Sequence, residues 1–222
     1  MDTIALLRLL TWLSPSFPTG GFAYSHGLEW AVEARDIRDG AGLSGWVADC
    51  LQHGAGRSDL IVLRHAHRAA GDVAALAALA ELALATCPTA ERRGESVGQG
   101  NAFARAASAW NNTLLPELRA ACGDLPYAVA VGALAGVMQI DEAAACTAYA
   151  HGFAANLISA AVRLVPLGQS TGLAVQAGLE PLVQRLVAET AALGLDDIGG
   201  FALRADIASA RHETQTTRLF RS

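Results

Sequence analysis

The sequence predicts an all-α protein with a single compact domain over residues 1–222. Alanine, the residue with the highest helix propensity, is the commonest residue along the chain. Apolar residues recur at helical spacing, and no run of valine and isoleucine alternates with period two between turn signals. A length of 222 residues suits one large helical domain, and no linker-like stretch divides it.

Individual helices follow from caps and periodicity. Asp2 or Thr3 can cap a first helix over residues 3–13, and Asp72 can cap another that ends near Thr86, before Pro88. Other helices are predicted over 27–34, 91–110, 127–138 and 142–164. Two apolar stripes mark further helices: Leu43, Val47, Cys50, Leu51 and Gly54, and then Leu179, Leu182, Val183, Leu186, Val187 and Leu193.

The composition limits the function classes. Charged residues make up 17% of the chain and apolar residues 52%. Since soluble domains average about 25% charged residues, we expect a partner or a second copy to cover part of the surface. The net charge of −5 and the absence of a basic tail exclude nucleic acid as a partner.

Every basic residue is arginine, which excludes two kinds of chemistry. A P-loop needs a lysine on the nucleotide phosphates, and Schiff-base catalysis needs a lysine amine. The four cysteines are scattered without zinc-site spacing, as expected for free thiols in a reducing cytoplasm. We predict a cytoplasmic protein that is not itself a P-loop GTPase.

Export and membrane insertion are both disfavoured by the sequence. The apolar N-terminal stretch lacks a basic start and is interrupted by Arg8. Residues 143–162 carry no formal charge, but they include His151, Gly152 and Asn156, which suit a buried helix better than lipid. No membrane partner is expected.

One motif offers an alternative from a different class. Gly94-Glu-Ser-Val-Gly98 matches the GxSxG nucleophile elbow of α/β-hydrolases, and Asp206 and His212 follow it in the hydrolase order. The elbow requires a strand before the serine, and none is predicted here. A serine hydrolase is therefore the weaker alternative.

The histidines give no convincing metal site. His65 and His67 are two residues apart, so on a helix they point to different faces. His53 and His151 stand alone, and metal sites need several convergent ligands. The sequence leaves the existence of a metal site unknown.

Three segments are unusual for solvated loops or a disordered chain end. Residues 14–29 place Phe17, Phe22 and Tyr24 in and beside a loop rich in proline and glycine, which favours recognition unless the loop folds over the core. Residues 163–172 look like an ordinary helix–helix connection. Residues 206–222 combine arginines with Leu219 and Phe220, which are typical of binding hot spots unless this segment docks on its own core.

Together the three segments resemble the UreF family of urease accessory proteins. Residues Pro18 to Glu29 match its Pro-x-Gly-Gly-Phe/Tyr-x-x-Ser-x-Gly-Leu-Glu motif. Residues Arg163 to Gln169 match Arg/Lys-Leu-x-Pro-Leu-Gly-Gln, and Arg211 to Ser222 match Arg/Gln-His-Glu-x-x-x-x-Arg-Leu-Phe-Arg-Ser. Leu173 and Thr217 depart from residues common in the family.

The resemblance implies an all-α dimer without catalytic activity. Such a protein bridges the accessory protein UreD, also called UreH, to the GTPase UreG, and the assembly docks on apo-urease to insert nickel. No resident cofactor is implied, although nickel could pass through a tunnel in the complex. The partner-binding residues implied are Phe22, Tyr24, Ser25, His26, Glu29, Arg211, His212, Glu213, Arg218, Leu219, Phe220 and Arg221.

Two further expectations come with the resemblance. The final segment is expected to become ordered when UreD binds, so that its deletion would change the melting temperature little. The protein could either stimulate GTP hydrolysis in UreG with an arginine finger or hold UreG in a state that accepts metal. We favour the second role, since Arg218 lies near the end of the sequence rather than on a firm catalytic loop.

Overall fold

A computed structural model describes residues 2–222 of the chain. Within that range it contains α-helices and short 3₁₀ turns and no β-strand, which confirms the all-α prediction. The helices are α1 (Thr3–Trp12), α2 (Leu28–Glu33), α3 (Gly40–Gln52), α4 (Ala55–Arg68), α5 (Val73–Ala85), α6 (Ala90–Ala106), α7 (Leu114–Cys122), α8 (Tyr127–Val137), α9 (Glu142–Leu164), α10 (Gln169–Gly178), α11 (Glu180–Glu189) and α12 (Leu203–His212).

The predicted caps form as hydrogen bonds. The Asp2 carboxylate accepts from the N–H of Ala5 at 2.7 Å, and the Asp72 carboxylate accepts from that of Ala75 at 3.0 Å. Each satisfies one of the free N–H groups in the first turn of its helix. The starts of α1 and α5 were therefore predictable from local sequence.

Four helices (α4, α7, α10 and α12) were not predicted. Helix α10 begins at Gln169, so the segment 163–172 is a connection only up to Gly168. Its sequence contains two glycines, a serine and a threonine, which are weak helix formers. Burial of Gly172 and Val175 shows that packing supports this helix where propensity does not.

Helix α8 forms the centre of the core, because nearly all of its residues are buried. It lies against α4 at Gly132 and Gly136. A Cβ at either glycine would come within 2.3 Å of a main-chain oxygen of α4, that of Leu63 or of His67. Helix α6 approaches the start of α8 in the same way at Gly100. The helices therefore pack backbone to backbone at these positions.

Helix α9 contains residues 143–162, the uncharged stretch for which the sequence predicted a buried helix rather than a membrane span. Its inner face is buried in the core, and its exposed residues include His151. Among the described residues, no helix combines the length and the apolar character needed to cross a membrane.

Candidate partner-binding surface

The three unusual segments, distant in sequence, meet at one side of the molecule. The N–H of Ser25 donates to the main-chain oxygen of Ser222 at 2.8 Å, and the N–H of Arg221 donates to the oxygen of Ala23 at 2.8 Å. The Arg163 guanidinium lies 4.4 Å from the centroid of the Phe220 ring, a cation–π geometry. Residues 18–29, 163–169 and 211–222 therefore form one structural unit.

A buried carboxylate on α2 holds the final segment. The Glu29 side chain accepts the main-chain N–H of Leu219 at 2.7 Å and that of Phe220 at 2.9 Å. Glu29 is 7% exposed, so these charge-assisted bonds are shielded from water. They fix the backbone that presents Leu219.

A fully buried histidine connects this carboxylate to α6. His212 Nδ1 lies 2.7 Å from Glu91 Oε2, and His212 Nε2 lies 3.3 Å from Glu29 Oε2. The His212 ring therefore lies between the carboxyl groups of Glu91 and Glu29 and links α6 to α2. Arg218 also donates to Glu91, at 2.7 Å.

A second carboxylate, Glu95 on α6, is almost completely buried. It accepts hydrogen bonds from His26 Nε2 at 2.7 Å, from Gln99 Nε2 at 2.9 Å and from the Ser222 hydroxyl at 2.8 Å, and it pairs with Arg92. Burial alone would raise the pKa of Glu95, but Arg92, His26 and the Ser222 hydroxyl outweigh burial and hold it at about 2.

Glu95 lies in the wall of a cavity of about 810 Å³ that is partly open to solvent, since its lining includes the exposed Leu10 and Phe22. His26, Arg92, Asp59 and Tyr149 line the same cavity. Burial raises the pKa of Asp59 to about 6, against the opposing effects of Arg92 and of the Tyr149 hydroxyl, which donates to Asp59 at 2.8 Å. Burial and the Arg92 charge lower the pKa of His26.

The predicted partner-binding residues divide into two groups by exposure. Phe22 is 68% exposed and Leu219 is 78% exposed. Arg211, Glu213, Arg218 and Arg221 are also exposed. The side chains buried within the chain are Tyr24, Ser25, His26, Glu29, His212 and Phe220.

The buried group corrects one expectation. These six side chains do not face a partner in this structure, because they bond or pack against other parts of the chain. They hold the backbone of this surface in place from the protein interior, while the exposed residues form the surface itself. The aromatic loop residues divide similarly: Phe17 is buried against Phe103, with a centroid distance of 5.4 Å, whereas Phe22 is presented.

The final segment is also different from the expectation. Residues 213–222 are docked on the core of the chain, with Phe220 and Ser222 buried. The segment thus has internal packing partners, which the sequence analysis did not expect, while its ordering by UreD stays a prediction. Its polar backbone groups find internal partners, and Glu213 accepts the N–H groups of Ala90 and Glu91 at the start of α6.

Sequence reasoning missed the acidic residues of α6 that hold this unit together. Glu91 and Glu95 lie in a stretch considered only as a predicted helix and for its GxSxG motif. Gly94 to Gly98 form part of the uninterrupted helix α6, with no strand before Ser96, so the hydrolase alternative is rejected. The available signal was the polar sequence Glu91-Arg-Arg-Gly-Glu95 in a largely apolar chain.

The histidines set aside as metal ligands have ordinary roles. His65 Nε2 lies 3.2 Å from the oxygen of Leu193, and His67 Nε2 lies 2.7 Å from that of Ile140. Within residues 2–222, no cluster of three or more histidine, cysteine or acidic side chains could hold a metal ion.

Comparison with known proteins identifies the family. The family model UreF matches residues 37–180. The urease accessory protein UreF of Rhodopseudomonas palustris strain BisA53 is 53% identical over 98% of this chain and 93% of its own length. The chain belongs to the UreF family. The UreF proteins of Bradyrhizobium sp. strain BTAi1 and Cereibacter sphaeroides strain KD131 are 49% and 48% identical, over 100% and 98% of this chain and 94% and 99% of their own lengths.

Membership confirms the resemblance inferred from the three motifs. The UreF family consists of urease accessory proteins, which assist maturation of urease and are not enzymes. The match to the family model ends at residue 180, but the match to the Bradyrhizobium protein covers 100% of this chain and so includes the docked segment. A place in the urease maturation complex follows from membership.

Proposed function

We propose that this protein is a helical scaffold that bridges the accessory protein UreD (UreH) and the GTPase UreG during nickel insertion into apo-urease. One observation carries the proposal. Phe22 and Leu219 expose apolar side chains from backbone that is fixed by buried hydrogen bonds. Exposed apolar groups on a preorganised surface favour binding, since little conformational entropy is lost on association.

The local geometry explains why Phe22 is presented. Gly20 has φ of 76°, a conformation that glycine adopts readily, and it precedes a 3₁₀ turn over Gly21–Ala23. The N–H of Arg221 then ties Ala23 to the docked segment. We assign this face to UreG, and the adjacent exposed Arg211, Glu213, Arg218, Leu219 and Arg221 to contacts in the same assembly.

The arrangement supports a scaffold rather than an arginine finger. Arg218 donates to Glu91, so its guanidinium already has a partner. A finger must instead reach the γ-phosphate of a bound nucleotide. The protein accordingly holds UreG in a state that accepts nickel, and nickel is cargo of the complex rather than a resident cofactor.

Self-association is part of the same proposal. Helix α1 exposes Ile4, Leu7 and Leu10 along one side, and Leu173 on α10 is 70% exposed. Burial of these side chains between two copies of the chain would contribute roughly 25 cal/mol of favourable free energy per Å² of apolar surface. The scaffold therefore acts as a homodimer in the cytoplasm.

The test replaces one exposed aromatic and compares it with a matched one. Phe22→Ala should weaken binding to UreG by more than about 2 kcal/mol, roughly thirtyfold in Kd, with an unchanged melting temperature. Phe201→Ala is the control, because Phe201 is also 68% exposed but lies outside the three segments. Titration by calorimetry with purified UreG measures both. Unchanged affinity for Phe22→Ala, or equal loss in both variants, contradicts the assignment of this surface.

A further inference from the structure

The docked final segment contacts the cavity wall by two routes that converge on His26. The Ser222 hydroxyl donates to Glu95 Oε2 at 2.8 Å, and Glu95 Oε1 lies 2.7 Å from His26 Nε2. The main-chain oxygen of Ser222 accepts from both the N–H and the hydroxyl of Ser25, the residue before His26. Ser222 thus supports the backbone and the ring of His26 at once.

His26 needs this support, because its backbone is in an unfavourable region. Its φ is 56°, in the left-handed region that a non-glycine residue adopts at a cost in free energy. Gly27 follows with φ of 74° and lies against α12, where a Cβ would be 2.4 Å from the N of Ser209. The conformation at 26–27 is therefore determined by tertiary contacts.

The His26 ring belongs to the cavity wall. It is 8% exposed and meets the Phe153 ring edge-on, with 4.9 Å between centroids. Charged and titratable groups of several elements line the cavity with it: Arg92 and Glu95 from α6, Asp59 from α4, Tyr127 from α8, Tyr149 and His151 from α9, Asp206 from α12, and Cys87 before α6. A change in the position of His26 alters the polar lining that these groups form.

We propose that the docked segment 218–222 positions the His26 imidazole in the cavity wall, with Glu95 as the side chain that transmits the contact. Release of the segment removes a donor from Glu95 and an acceptor from Ser25. The backbone of His26 then relaxes from the left-handed region, and its ring leaves the wall. A partner that binds residues 218–222 thereby alters the cavity; this consequence rests on the proposed function, whereas the internal coupling does not.

The direct test follows the histidine ring by NMR in the full-length protein without partners. Ser222→Ala removes the donor to Glu95, and Thr217→Ala is the control, since Thr217 is exposed and its hydroxyl makes no hydrogen bond to the described residues. The spectrum of His26→Asn assigns the signal. We expect Ser222→Ala to shift the His26 signal and to raise its pKa towards the ordinary value of 6.5, because burial beside Arg92 is what lowers it. Thr217→Ala should leave both unchanged.

Cysteine alkylation reports on the cavity in the same samples. Cys87 lines the cavity, whereas Cys122 does not and serves as the reference within the chain. Peptide mapping should show Cys87 modified severalfold faster in Ser222→Ala at an unchanged rate for Cys122. Ser25→Ala, which removes the side-chain bond of the second route and leaves its main-chain bond, should act in the same direction.

Clear outcomes would overturn the proposal. The proposal fails if Ser222→Ala and Ser25→Ala leave the His26 signal and the Cys87 alkylation rate unchanged. It also fails if Thr217→Ala changes them as much. Hydrogen exchange of the unaltered protein decides the matter if the variants do not fold. Amides of 220–222 and of 25–28 should then open with one common free energy, and separate openings would refute the coupling. These experiments contain no partner protein, so a negative result does not contradict the proposed scaffold function. Likewise, a failure to bind UreG does not contradict the coupling between residues 218–222 and His26.

Discussion

At the residue scale, the cavity wall holds two carboxyl groups whose pKa values are displaced in opposite directions. Glu95 has a pKa of about 2 because Arg92 and several donors stabilise its charge despite burial. Asp59 has a pKa of about 6 because burial outweighs Arg92 and Tyr149. Burial and the Arg92 charge act on both residues. The charge outweighs burial at Glu95, which pairs directly with Arg92, and does not do so at Asp59.

Asp59→Asn should remove one component of the pH dependence of stability. The folded-state pKa of about 6 exceeds the ordinary 3.8, so the folded protein binds more protons than the unfolded chain between these values. Stability therefore falls as pH rises through that window, by roughly 3 kcal/mol for a shift of this size. Asparagine still accepts from the Tyr149 hydroxyl, so the variant should be more stable at pH 7 and nearly equal at pH 4.

Urea denaturation at several pH values between 4 and 7 measures this difference. Glu95 contributes a separate loss of stability at lower pH, below its ordinary pKa of 4.5, that both proteins share. Parallel pH profiles for Asp59→Asn and the original protein would contradict the assignment to Asp59.

At the element scale, the final segment is a structural part of the domain. Phe220 is buried below Arg163, and Glu29 and Ser25 rely on main-chain groups of the segment. Sequence composition suggested a segment that orders only on binding, because two arginines and two large apolar residues are too few to form a core. The segment instead completes a core that already exists.

Deletion of residues 213–222 should therefore destabilise the protein by about 4 kcal/mol or more. Burial of one phenylalanine contributes roughly 2 kcal/mol, and each buried polar group left without a partner costs about 1–3 kcal/mol. Thermal and urea unfolding measure the loss. Leu219→Ala is the control and should change stability by less than about 0.5 kcal/mol, since its side chain is 78% exposed. A truncated protein as stable as the full chain would show that the segment is only an appendage.

The contact between α4 and α8 gives a second prediction at this scale. Gly132→Ala should destabilise the protein by about 2 kcal/mol or more, because the new Cβ would lie 2.3 Å from the oxygen of Leu63. Gly45→Ala in α3 is the matched control, because no atom lies within 4 Å of its Cβ. It should stabilise the protein by up to about 1 kcal/mol through helix propensity. Equal effects in chemical denaturation would contradict the close packing of these helices.

At the scale of the whole molecule, the scarcity of charge leaves apolar side chains on several faces. Ile4, Leu7 and Leu10 on α1, Leu173 on α10, and Phe201 with Leu203 near α12 are all at least half exposed. They are distributed over separate elements rather than collected in one patch. Such a distribution suits a protein with more than one partner.

The isolated protein should therefore self-associate while it remains helical. Light scattering at tens of micromolar, roughly the range of modest homodimer affinities, should give a mass above 23.0 kDa. Far-UV circular dichroism should show helix without sheet, and purified protein should not hydrolyse GTP. A well-behaved monomer at that concentration would contradict the expected dimer.

The sequence by itself determined the fold class, most helix starts and the family, because these depend on local propensity, on caps such as Asp2 and Asp72, and on motifs that are contiguous in the chain. Only the tertiary structure decided which motif residues are presented and which are buried. Phe22 and Tyr24 are two residues apart, yet one is exposed and the other is buried. The partners of Glu29, His212 and Glu95 lie up to 191 residues away in sequence. Such contacts exist only after the helices pack, so no local pattern could have revealed them.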